Sequence, residues 1–144
     1  MQYRVEETAG YLIYRVGRLL RFRATQFFRD RSLGISPEQW GLLLQIADKG
    51  QPSLSDLVDT TVNDHPNVTR LVRGLVSMGF VTRSANPHDK RSQLISVTPE
   101  GDAFILDVLP DLIEEKAAFF EGMDQREVSG LIRSLQLVLG NLEK

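Results

Sequence analysis

Apolar residues recur every three to four positions from Val5 to Phe28, falling at Val5, Ala9, Leu12, Ile13, Val16, Leu19, Leu20, Phe27 and Phe28. That period predicts a long amphipathic helix, with arginines filling most of the gaps. A second helix has a sharp start. Ser36 is placed to cap it, Pro37 suits its first position and Gln39 completes a capping box. Ile35 and Trp40 are spaced for a hydrophobic staple, and Gly50 is a stop signal. A third, short helix starts at Ser53 with Asp56 three residues on, buries Leu54, Leu57 and Val58, and ends near Thr60. The linker Thr61 to Asn63 leads to Asp64, a capping candidate for a fourth helix that reaches Met78. Its inner face reads Val68, Leu71, Val72, Leu75 and Met78, its outer face Pro66, Asn67, Arg70, Arg73 and Ser77.

Gly79 ends that helix, and the period then changes. Phe80 to Arg83 reads as a strand, Ser84 to Lys90 with its Asn86-Pro87 pair as a turn, and Arg91 to Val97 as the returning strand, with Ile95 and Val97 on one side. Thr98 caps a fifth helix that has Pro99 at its first position. Its stripe runs through Phe104, Ile105, Val108, Leu109, Leu112, Phe119 and Phe120, with Pro110 inside it as an expected kink. Asp124 and Glu127 open the last helix, which carries Val128, Leu131, Ile132, Leu135, Val138, Leu139 and Leu142.

This order predicts a mainly α protein with a small β-hairpin wing. A short helix, a tight turn, a helix with a polar and basic outer face and then a hairpin describe a winged helix-turn-helix. The expected organisation is a single protomer over 1–144. A DNA-binding lobe spans 36–98, with the helix-turn-helix at 53–78 and the wing at 80–98. Residues 1–30 and 99–144 supply dimerisation helices. So many apolar positions on the terminal helices exceed what one small core can bury, which predicts burial against a second copy across a two-fold axis.

Charge sharpens the picture. The net charge of the 144 residues is only −2, so the molecule as a whole is no polycation. The distribution is uneven: residues 64–91 carry five basic groups against two acidic ones, and residues 99–144 carry four against ten. The middle of the chain can face phosphates that the C-terminal part would repel. Residues 1–35 hold seven arginines against three acids, an excess that fits either a ligand site or a place beside DNA.

Composition removes several alternatives. With no cysteine, a disulfide framework, a Cys-ligated zinc site and a thiol switch are excluded. No apolar run approaches the roughly 20 residues of a membrane span, and a cytoplasmic protein is expected. A Gly-rich phosphate loop, a nucleophile elbow and an HExxH pattern are all missing, so no enzyme is expected. Asp64-His65 and His88-Asp89 lie too far apart in sequence to suggest a metal site, and neither metal nor cofactor is predicted.

Residues 52–104 resemble the MarR (multiple antibiotic resistance regulator) family. The resemblance rests on a basic helix ending in Leu-x-x-x-Gly, here Leu75 to Gly79, followed by a hydrophobic strand. It rests further on the wing signature Asp-x-Arg, here Asp89-Lys90-Arg91, and on Leu-Thr-x-x-Gly, here Val97-Thr98-Pro99-Glu100-Gly101. The chain departs from the family's frequent Ser-Thr at Pro66-Asn67. The resemblance implies a homodimer with interlocked terminal helices, binding to a pseudo-palindromic operator, more often as a repressor, and release by a small aromatic or anionic effector.

On this reading the N-terminal part of the fourth helix enters the major groove. Asn67 is suited to pair with adenine and Arg70 with guanine. His65 and Thr69 reach bases or phosphates beside Pro66, and Arg73 meets phosphate. Arg83 belongs to the same basic stretch, and Lys90 and Arg91 approach the minor groove or its flanking phosphates. Asp89 either braces Arg91 by a charge-assisted hydrogen bond or caps the turn. Tyr11, Tyr14, Arg15, Arg18 and Trp40 are the candidates for effector binding, with core packing and salt bridges as the competing account. The alternative from another class is a dimeric ligand-binding or protein-interaction module without operator binding, which would lack the basic helix face and wing.

Overall fold

The computed structural model describes residues 4–61 and 65–144, without the side chains of 60 and 61. The predicted linker Thr61 to Asn63 and the Asp64 cap therefore fall largely or wholly outside the described residues. After a single 3-10 turn at Val5–Glu7 come helices α1 (Ala9–Asp30), α2 (Pro37–Lys49), α3 (Leu54–Thr61) and α4 (His65–Ser77). Strands β1 (Val81–Ala85) and β2 (Gln93–Val97) follow, then α5 (Pro99–Ala117), a 3-10 turn at Ala118–Phe120, and α6 (Gln125–Leu142). The chain divides into two compact units, residues 1–107 and 108–144, with α5 running through the division.

Local chemistry explains the helix starts. Ser36 Oγ accepts from the Gln39 N–H at 3.1 Å, and Gln39 Oε1 accepts from the Ser36 N–H at 3.0 Å. Two of the orphan donors at a helix start are thereby satisfied. Asp124 and Glu127 form the same reciprocal pair at α6. Ser53 and Asp56 repeat it at α3, at 3.1 and 2.9 Å. The backbone N–H of Ser53, then its hydroxyl, hold the Asp56 carboxyl below its ordinary range. A carboxyl depressed in the fold stabilises it above the unfolded value, and that contribution fades as pH falls through the folded one. Asp56→Ala should thus melt below wild type at pH 7, with the gap narrowing as pH is taken to 3. Paired thermal melts across that range check it, and a gap independent of pH would contradict it.

Unit 1 holds all of the buried apolar side chains among the described residues except Val108 and Leu112. The inner face of α4 is buried at Val68, Leu71, Val72 and Leu75, as its spacing predicts, while Met78 is only half-buried. Leu42, Leu43 and Ile46 of α2, Leu57 of α3, and Val81 and Ile95 of the hairpin are buried as well. Each such side chain removes enough apolar surface to contribute about 1.5–3 kcal/mol. Both staple residues, Ile35 and Trp40, are buried. Aromatic rings link the elements: Phe27 to Phe28 at 5.5 Å, Phe28 to Trp40 at 5.7 Å, Trp40 to Phe104 at 6.0 Å and Phe104 to Phe80 at 4.4 Å.

The hairpin is antiparallel, with Val81 opposite Val97 and Arg83 opposite Ile95. It starts and ends near the predicted limits, although β1 extends to Ala85 and β2 begins only at Gln93. The fifth helix continues through Pro110 but gives way to a 3-10 turn before Phe119, short of its predicted end. On α1 only Phe27 and Phe28 are buried, and α6 buries nothing. Val16, Leu19 and Phe22 of α1 and Ile132, Leu135 and Leu139 of α6 stay exposed.

Candidate nucleic-acid interface

The residues of α4 that are not apolar form one continuous face. At about 100° per residue, His65, Thr69, Arg73, Pro66, Arg70 and Asn67 sweep roughly 200° of the helix, opposite Val68, Leu71, Val72 and Leu75. Pro66, Arg70 and Arg73 are exposed, and Asn67 and Thr69 are half-buried. Thr69 Oγ1 donates to the His65 carbonyl at 2.9 Å and lies 3.5 Å from His65 Nδ1. Arg70 Nη2 donates to Asn67 Oδ1 at 2.8 Å. The two residues expected to read separate bases thus touch each other along the helix.

The wing is held to this face at three places. Gly79, at φ 77°, lets α4 close with the Phe80 N–H on the Leu75 carbonyl at 3.0 Å and the Gly79 N–H on the Val76 carbonyl at 2.9 Å, a Schellman motif. Thr98 then joins both ends of the hairpin. Its hydroxyl donates to the Gly79 carbonyl at 2.6 Å, its N–H to the Phe80 carbonyl at 2.9 Å, and its Oγ1 accepts from the Gly101 N–H at 3.0 Å. On the far side, the Ile95 N–H donates to the Pro52 carbonyl at 2.9 Å, and Ser53 bridges Leu94. The start of α3 is thereby a third edge of the wing sheet.

Directly opposed residues of an antiparallel pair share a face. Arg83, opposite Ile95, therefore lies on the side turned to the helices. Both line a cleft of about 550 Å³ with Leu54 and Ser55 of α3, His65 and Thr69 of α4, and Asp89 to Gln93. Six predicted residues come together here: His65, Thr69, Arg83, Asp89, Lys90 and Arg91. Pro66, Asn67, Arg70 and Arg73 continue the same surface along α4, outside the cleft. Among the described residues none of Arg70, Arg73, Arg83, Lys90 and Arg91 has an ion-pair partner, and in the cleft the basic side chains outnumber the one described carboxylate, Asp89.

The tip of the wing is built by its own turn chemistry. Asn86 Oδ1 accepts from the His88 N–H at 3.0 Å, and Asp89 Oδ1 from the Arg91 N–H at 2.9 Å. Asp89 therefore fixes the main chain that carries Arg91. Of the two expectations for this residue the turn cap is the one formed, because a short side chain in a turn reaches the N–H two residues on before it reaches a guanidinium.

The effector candidates divide. Arg15 donates to the Tyr11 hydroxyl at 3.3 Å and Arg18 to the Tyr14 hydroxyl at 3.0 Å, with the Arg18 guanidinium 5.8 Å from the Tyr14 ring. These four side chains share one stretch of α1. Trp40 does not join them: it is buried between Phe28 and Phe104. At 1.5 Å per residue, Tyr14 lies about 21 Å along α1 from Phe28. The indole N–H of Trp40 is buried without a hydrogen-bond partner among the described residues.

Sequence reasoning missed the non-local ties. A Cβ on Gly101 would stand 2.2 Å from the Phe80 carbonyl oxygen and 2.7 Å from Val97 Cγ1. The glycine of the wing signature was the available signal, and its reason is this close approach.

A short helix, a basic helix after it and a hairpin packed at the C-terminal end of the second define a winged helix-turn-helix protein with a cationic face. The family model for the MarR family matches residues 33–92. An uncharacterised HTH-type transcriptional regulator of Mycobacterium bovis is 31% identical over 98 residues, which cover 68% of this chain and 64% of that protein. The chain thus spans less than two thirds of that relative's length. A cysteine-to-serine mutant of MarR from E. coli, solved in complex with operator DNA, is 28% identical with a TM-score of 0.77, covering 90% of this chain and 92% of that one. A MarR-family regulator from Rhodococcus, 21% identical, shares the fold at a TM-score of 0.86, covering 95% of this chain and 96% of its own. Over residues 33–92 the chain is similar to the MarR family.

Proposed function

We propose that the protein is a homodimeric transcriptional regulator, not an enzyme, that binds double-stranded DNA at a pseudo-palindromic operator. The observation that carries this reading is the cationic face of α4 and the wing, where five basic side chains stand without an ion-pair partner among the described residues. The operator complex of the E. coli relative supports it. In this reading α4 lies in the major groove, and Lys90 and Arg91 meet the minor groove or its phosphates. The exposed apolar faces of α1 and α6 bury each other between two copies, presenting two α4 helices about 34 Å apart, one DNA turn. Regulation is repression in the cytoplasm. It is relieved by a small aromatic or anionic effector, with Tyr11, Tyr14, Arg15 and Arg18 as a paired aromatic and cationic set on α1. Light scattering of the protein with and without a duplex tests the assembly. Two chains in solution and two per duplex are expected, while a monomer that binds no duplex would refute it.

A further inference from the structure

The 2.8 Å hydrogen bond from Arg70 Nη2 to Asn67 Oδ1 joins, before DNA arrives, the two side chains best suited to read bases. Their chemistry makes this pairing unequal. A guanidinium has five N–H donors, so giving one to Asn67 leaves four, enough for the bidentate pairing with guanine O6 and N7. An asparagine that pairs with adenine must use its amide oxygen to accept from adenine N6 while its NH2 donates to N7. That oxygen keeps a second lone pair, but the bond from Arg70 already fixes the direction of the amide, so Asn67 can meet a base only in the orientation Arg70 sets. The longer, exposed Arg70 also gains more from being held than the half-buried Asn67 does.

We infer that Asn67 is a positioning residue for Arg70, and that the pair reads one base pair of each half-site as a single unit, a guanine set by Arg70. This rests on the operator-binding reading above. It replaces two independent specificity positions by one.

The test selects bound sequences from a random duplex pool with wild type, Asn67→Ala, Asn67→Asp, Arg70→Ala and the Asn67→Ala/Arg70→Ala double variant. Salt-dependent binding to random DNA shows that each variant is folded. Arg70→Ala should lose the preference at one base pair of each half-site, by about 5- to 150-fold. Asn67→Ala should weaken the preference at that same base pair, and the double variant should lose no more than Arg70→Ala does. Asn67→Asp keeps the oxygen acceptor and should keep the preference, at lower overall affinity from its added negative charge. A merely structural role would lower affinity for all sequences and leave the base profile unchanged. Loss of an adenine at a different base pair in Asn67→Ala, or additive effects in the double variant, would overturn the inference while leaving operator binding intact. A wild type with no sequence preference would overturn operator binding and the inference with it.

Discussion

Gly101→Ala is expected to lower stability by about 3 kcal/mol, at the top of the usual range for overpacking, and to weaken DNA binding with it. The added methyl would sit 2.2 Å from the Phe80 carbonyl oxygen, far inside van der Waals distance. Backbone, unlike the end of a flexible side chain, has few ways to yield. This carbonyl also accepts the Thr98 N–H, and the Thr98 hydroxyl in turn holds the Gly79 carbonyl. Relief of the clash therefore loosens the tie between the end of α4 and the wing, which sets the spacing of the two elements proposed to bind DNA. Thermal melts should show a drop of roughly 10 °C for a chain of this size. Gly10→Ala is the control: it lies in the first turn of α1, nothing lies within 4 Å of its Cβ, and alanine is a better helix former than glycine. Equal melting temperatures for Gly101→Ala and wild type would show that the close approach is not maintained in solution.

The second large effect is expected at Arg91. Its guanidinium has no ion-pair partner among the described residues, and its main chain is fixed by Asp89. Each phosphate that a cationic side chain ceases to neutralise takes about 0.9 off the slope of log affinity against log salt. A dimer carries two copies of Arg91, so the slope should fall by nearly 2 in Arg91→Ala, and affinity by about 30-fold near 0.15 M salt. The weakening should be the same for operator and scrambled duplex, since an interaction with phosphate carries no sequence information. A salt titration that leaves the slope at its wild-type value would remove Arg91 from the interface. Weakening confined to the operator would instead make it a base reader.

Much of this fold is written locally in the chain. The Ser36/Gln39, Ser53/Asp56 and Asp124/Glu127 caps and the Gly79 stop are formed within a few residues, and each is recognisable by spacing alone. The surplus of apolar positions on α1 and α6 is equally visible, because periodicity reports a face whether or not that face is covered. The ties that fix the wing are not legible in this way. Thr98 to Gly79 and Ile95 to Pro52 join residues far apart in sequence, and nothing local announces either bond. Direction is a second blind spot. Spacing marks Asp89 as a brace or a cap, but only geometry shows that it grips the Arg91 main chain. The spacing of Asn67 and Arg70 is in plain view, yet it does not reveal that they engage each other. Distance is a third: Trp40 and Tyr14 are both aromatic and near α1 in sequence order, and the length of that helix separates them.

Selection of bound sequences from random duplex DNA by the wild-type protein, with affinity for the winners followed across salt concentration, bears most directly on the proposed function. A palindromic motif is predicted whose half-site centres lie about 10 base pairs apart, bound with an affinity that falls steeply as salt rises. No enriched motif together with salt-independent binding would contradict it.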